Sequence, residues 1–146
     1  MAIKTDAVGK TWPDYEYEIG REKIREYCQV MGIENPVHFD RTAARAAGYT
    51  DIVAPPMFAV VYSAGAMGPV LFDPEVEMNF AAMVHGGQEF EWGEPVCSGD
   101  LITTTPSCLE IYEKGGKGFY VFESRSVNQD GAEVVRAVWT NIVRGV

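Results

Sequence analysis

The residues from Ala54 to Pro69, APPMFAVVYSAGAMGP, carry no charge, and on a helical wheel they put apolar side chains on every side. A helix of that kind must be covered on all faces, because any side left in water exposes apolar surface. Prolines bracket it. Pro56 suits a first turn, where a missing N–H costs little, and Gly68-Pro69 reads as a stop, which places the helix at about residues 56–67. A dozen or so residues is too short to cross a bilayer. The rest of the chain must therefore supply a surface that wraps this apolar rod.

From His85 onward the period changes. VHGGQEFEWG, DLITTTPSCLEIYE, KGFYVFESRSVNQ and EVVRAVWTNIVRG are rich in β-branched and aromatic residues, with turns at Gly115-Gly116 and Asp130-Gly131. These are expected to be antiparallel strands, and WPDYEYEIG offers one more near the N-terminus. The last strand is apolar on both faces, with Val135, Ala137 and Trp139 on one and Val134, Val138 and Ile142 on the other. Ahead of the rod, Ile24, Tyr27, Cys28 and Met31 fall at the i, i+3, i+4, i+7 spacing of a helix that Gly32 ends, and Asp40 can cap a short alanine-rich helix that Gly48 closes. A sheet needs an apolar partner on one face, and the rod needs a surface around it. The expected architecture is α+β: one antiparallel sheet curled around the central helix, an arrangement known as the hotdog fold. At 146 residues, 47% of them apolar, residues 1–146 fit a single such domain.

A net charge of -9 sets aside sequence-independent nucleic-acid binding, which needs many cations against phosphates. Three cysteines without CxxC spacing predict neither a disulfide framework nor a zinc site, and a reducing, cytoplasmic setting is the expectation. With no apolar core of signal-peptide length in the first twenty residues and no run of about 18 apolar residues, no membrane partner is expected either.

One of only two histidines lies in GIENPVHFDRTAARAAGY, residues Gly32 to Tyr49. Together, NPVHFDRTAARAAGYTDIVAPPMF, VHGGQEFEWGEPVCSGDLITTT and the final hairpin resemble the MaoC-like dehydratase superfamily, in its N-terminal MaoC-like (FAS1-like) dehydratase branch, over about Gly20 to Arg144. The resemblance implies an enzyme that hydrates trans-2-enoyl thioesters of coenzyme A or acyl carrier protein to (R)-3-hydroxyacyl thioesters, or the reverse, with no metal and no further organic cofactor. The family's motif is Asp-x-Asn-Pro-[Leu/Ile/Val]-His. An Asp and a His converge on one water, as proton transfer near neutral pH requires, and a backbone N–H at the start of the central helix polarises the thioester carbonyl.

Asn35, Pro36, Val37 and His38 match this template, with His38 as the catalytic candidate. The Asp position is Ile33, and the adjacent Glu34 is the candidate replacement acid. Where the family has His-Gly before the helix, this chain has Pro55-Pro56, which donate no N–H, so Met57 is the next candidate donor. Asn35, Met57 and His85 are the candidate substrate-binding residues. Asp40 reads as a helix cap and Gly115-Gly116-Lys117-Gly118 as a hairpin turn, since its spacing fails the phosphate-loop pattern. Two losses in one catalytic apparatus suggest a subunit whose active site a MaoC-like partner completes. The alternatives are a self-sufficient homodimeric hydratase, a hotdog acyl-CoA thioesterase and a non-catalytic acyl-thioester binding subunit. In each case a homodimer or heterodimer is expected, because hotdog sheets bury an edge by pairing.

Overall fold

A computed structural model describes residues 2–146. Five strands, β1 (Tyr15–Glu18), β2 (Met83–Trp92), β3 (Leu101–Lys114), β4 (Lys117–Val127) and β5 (Glu133–Arg144), form one antiparallel sheet in the order β1-β3-β4-β5-β2. The helices are α1 (Arg21–Met31), α2 (Arg41–Ala46) and α3 (Ala59–Leu71), with 3-10 turns at Pro36–His38, Pro56–Phe58 and Phe80–Ala82. The α+β hotdog arrangement expected from the sequence is present. Gly115 and Gly116 both take positive φ in the two-residue β3–β4 turn, a conformation open to glycine at little steric cost.

Two clusters pack beneath α3. One gathers Trp12, Met67, Val70, Phe122 and Trp139, and the other Ile24, Ile52, Phe58, Tyr62, Ile102 and Val135. Two buried polar pairs lie within the sheet: Trp139 Nε1 donates to Ser124 Oγ at 2.8 Å, and the Thr104 and Ser126 hydroxyls share a hydrogen bond at 2.7 Å, whereas Gln88 Nε2 on β2 is buried without a partner.

Two expectations about the rod need correction. The helix continues through Gly68 and Pro69 to Leu71, because Val70, fully buried, and Met67 anchor the last turn while Pro69 lies on an exposed side. Nor does a single chain cover it all round. Ala64, Gly65 and Pro69 are exposed, as are Met57 at one end (48%) and Phe72 at the other (66%). A sheet reaches only one side of a helix, and α1 and the N-terminal segment, which share core clusters with α3, add cover over only part of the rest. At the sheet's margin, β2 is an edge strand whose outer flank has no neighbour among the described residues.

Two carboxylates tie the helices and the N-terminal strap to this frame. Asp51 receives Arg21 through two hydrogen bonds, 2.8 and 3.2 Å, lies 3.4 Å from Arg41, and accepts the Ile52 N–H. The Arg21 guanidinium, with that N–H and Arg41, holds its pKa far below the usual carboxylate value. Asp73 is held down to about 2 by Lys10, the Glu75 N–H and the Trp12 indole. Such depressed groups contribute stability that is full above their unfolded pKa of about 3.9 and is lost as pH falls through the folded value. Melting temperature is therefore expected to hold from pH 7 to about 5 and to fall between there and pH 2, with a shallower fall in Asp73→Asn. Equal slopes in thermal melts of the two proteins would exclude Asp73 as a source.

Candidate active site

The Asn-Pro-Val-His segment makes its own turn. Pro36 sits in the first turn, the Asn35 side chain accepts the Val37 N–H at 3.3 Å, and the Phe39 and Asp40 N–H groups close onto the Pro36 carbonyl. Asp40 then caps α2, accepting from Thr42 and Ala43, and has the capping role expected of it. The turn is laced to the segment before α3: Val53 N–H donates to Val37 O, Ala54 N–H to Val96 O, and Ser98 N–H to Ile52 O. His38 is fixed by this lacing. Its Nδ1–H donates to the Val53 carbonyl oxygen at 2.7 Å, and since a carbonyl only accepts, the neutral ring keeps Nε2 as its open, proton-accepting nitrogen.

His38 lines a cleft of about 370 Å³. Val37, Val53, Ala54, Pro55, Pro56, Val96 and Val134 supply apolar wall, and Trp92 closes it at the end of β2. The polar groups in the wall are Asn35, His38, Tyr49, Tyr62 and Glu94. Close approach of two strands shapes one side: Gly93 N–H donates to Val134 O, and a Cβ at Gly93 would collide with the Glu133 carbonyl oxygen. An apolar cleft with a few fixed polar groups suits a small organic ligand whose reacting end is positioned by hydrogen bonds.

Of the five sequence candidates, the fold brings Asn35 and His38 into this cleft. Glu34 is exposed and does not line it, because on an extended loop neighbouring side chains point apart. Ile33 packs onto the cluster containing Ile24, Cys28 and Phe58, so the position of the motif's Asp is filled by core. His85 stands at the start of β2, edge-to-face with Trp139 at 6.0 Å, whereas the cleft meets β2 at Trp92, roughly 20 Å along the strand. Met57 is half-exposed beside the cleft and is not part of its wall.

Sequence reasoning missed Tyr62, Tyr49, Trp92 and Glu94. Tyr62 is 2% exposed, and burial pushes its phenol pKa well up. Glu94 supplies the only carboxylate in the wall. Among the described residues, no group of three or more His, Cys, Asp or Glu side chains is arranged to hold a metal ion, and no helix is long and apolar enough to cross a membrane.

Comparison with known proteins agrees with this fold. The profile of a family described as "FAS1-like, dehydratase domain region" matches residues 6–137. A "UPF0336 protein" of Clavibacter michiganensis subsp. michiganensis is 39% identical over 146 residues, covering 99% of this chain and 98% of that protein. Among solved structures, a chain of the C-terminally truncated HadBC (3R-hydroxyacyl-ACP dehydratase) complex of Mycobacterium tuberculosis superposes with a TM-score of 0.82 at 27% identity, over 96% of this chain and 99% of that one. The unliganded R-hydratase PhaJ1 of Pseudomonas aeruginosa shares the fold, with a TM-score of 0.75 at 22% identity over 95% and 83% of the two chains.

Proposed function

Because the chain belongs to the FAS1-like dehydratase-domain family, we propose that it is a subunit of an (R)-specific 2-enoyl-thioester hydratase or 3-hydroxyacyl-thioester dehydratase, its active site completed by a MaoC-like partner. Adding water across a 2-enoyl double bond removes one proton from water as its oxygen bonds to C3. A second proton is delivered to C2, and negative charge builds meanwhile on the thioester oxygen. His38, with Nε2 open, can serve as one proton-transfer group. The observation that carries the reading is the other half of the pair: the Asp position is Ile33, turned into the core. The exposed apolar side of α3 and the free edge of β2 are where a second hotdog subunit would cover this one. The likeness to a chain of HadBC, itself a two-subunit complex, supports that assembly.

The test is hydration of a short and a long trans-2-enoyl-CoA by the chain alone and after co-expression with a MaoC-like subunit that keeps the full Asp-x-Asn-Pro-x-His motif. A stable complex that turns over, from a chain that by itself does not, is the expected result. Full turnover by the chain alone would sink the reading. Glu94 favours a second reading, a self-sufficient homodimer, since it places a carboxylate in the same cleft wall as His38.

A further inference from the structure

Tyr62 stands in the first turns of α3, on the wall of the His38 cleft, with its ring tilted against Phe58 at 6.3 Å. The neighbouring buried hydroxyl, Ser63 Oγ, is satisfied by the Ala59 carbonyl. The Tyr62 hydroxyl has no protein hydrogen-bond partner among the described residues, although the residue is only 2% exposed. Its oxygen is not fully sealed, so the sliver of surface the residue keeps includes it. Buried phenols ordinarily find a partner, and leaving the donor unmet is costly.

We propose that the Tyr62 hydroxyl donates a hydrogen bond to the thioester carbonyl oxygen of an acyl ligand in this cleft, replacing the backbone donor that Pro55 and Pro56 cannot provide. The assignment rests on the acyl-thioester reading above and adds to it the group that polarises the carbonyl. A thioester oxygen is acceptor-only, so the open Nε2 of neutral His38 is no partner for it. Asn35 and Trp92 are exposed and Tyr49 half-exposed, so water can satisfy all three, and the Met57 N–H lies on a residue outside the wall. That leaves Tyr62 as the donor held in place by packing before a ligand arrives, the condition under which a hydrogen bond contributes most to stabilising developing charge. Burial, by raising its pKa, keeps it protonated through neutral and mildly alkaline pH.

The full chain can be titrated with the coenzyme A thioester of 4-(dimethylamino)cinnamic acid, whose long-wavelength absorption moves to the red when its carbonyl is polarised. Wild type is expected to bind saturably with a red shift, as is Tyr112→Phe on the outer sheet face. Tyr62→Phe, which removes one oxygen and keeps the ring, is expected to bind roughly 2- to 12-fold more weakly, the loss of about one hydrogen bond, and to lose the shift. Binding by Tyr62→Phe with an undiminished shift overturns the assignment and leaves the acyl-thioester reading standing. Failure of wild type to bind, both alone and in complex with a co-expressed MaoC-like subunit, overturns both. Should near-UV circular dichroism show that Tyr62→Phe has lost its fold, site-specific 3-fluorotyrosine at position 62, a stronger donor, is expected to deepen the shift, and an unchanged shift overturns the assignment.

Discussion

Hydration of a trans-2-enoyl-CoA by the isolated chain is expected to run roughly 10²- to 10⁴-fold below the rate of its complex with a motif-complete subunit, the range that one positioned acid or base contributes. Initial rates at matched chain concentration measure it. The cause is local. Ile33 packs onto the buried cluster that contains Ile24, Cys28 and Phe58 and carries no carboxylate, and Asp40 is taken up in capping α2. His38→Ala should cost the isolated chain little more, because groups that act as a unit lose most of their effect when the first is gone. If instead Glu94 works with His38, the isolated chain will turn over well, and Glu94→Gln and His38→Ala will each collapse it. The two variants thus separate a half-site from a rebuilt one.

Phe58→Ala is expected to destabilise the fold by about 3–5 kcal/mol, the range for removing a buried aromatic ring. For a chain of this size that is a fall in melting temperature of roughly 6–20 °C. Phe58 has no exposed surface and meets Tyr27 at 5.4 Å, Tyr62 at 6.3 Å and Tyr17 at 6.5 Å, so one ring joins α1, α3 and β1. Three elements cannot all collapse into one void. A drop of less than about 2 °C in differential scanning calorimetry, below what even one kcal/mol gives, would mean the tyrosines repack. Because Phe58 also props Tyr62, the same variant should loosen the cleft wall, with weaker acyl-thioester binding at temperatures where it remains folded.

The strands, their turns and the identity of the central helix could all be read from periodicity, because alternation and glycine placement are local signals. His38 was readable for the same reason: Asn-Pro-Val-His makes its own turn and brings its histidine with it. The rest of the cleft was not. Tyr62 sits inside the uncharged run that marks the rod, where it looks like any other core residue, and only the fold shows that it lines a cavity. Trp92 and Glu94 arrive from the far end of β2, a placement set by pairing with β5. His85 lies outside the His38 cleft for the complementary reason, since strand length carries it to the other end of β2. The assumption that an apolar helix must be covered within its own chain also failed, because it ignored cover that a second subunit can bring.

The unpaired flank of β2 bears on how the protein must be supplied. Ten residues of edge strand, with N–H and C=O groups open and Val84 and Trp92 among the exposed side chains, make a template that any extended chain can join. A copy made in excess of whatever covers that edge carries the template into solution, where crowding favours clumping over waiting. For the proposed two-subunit assembly, balanced synthesis, with the covering subunit produced close by and in equal amount, would then be a condition of solubility as well as of activity.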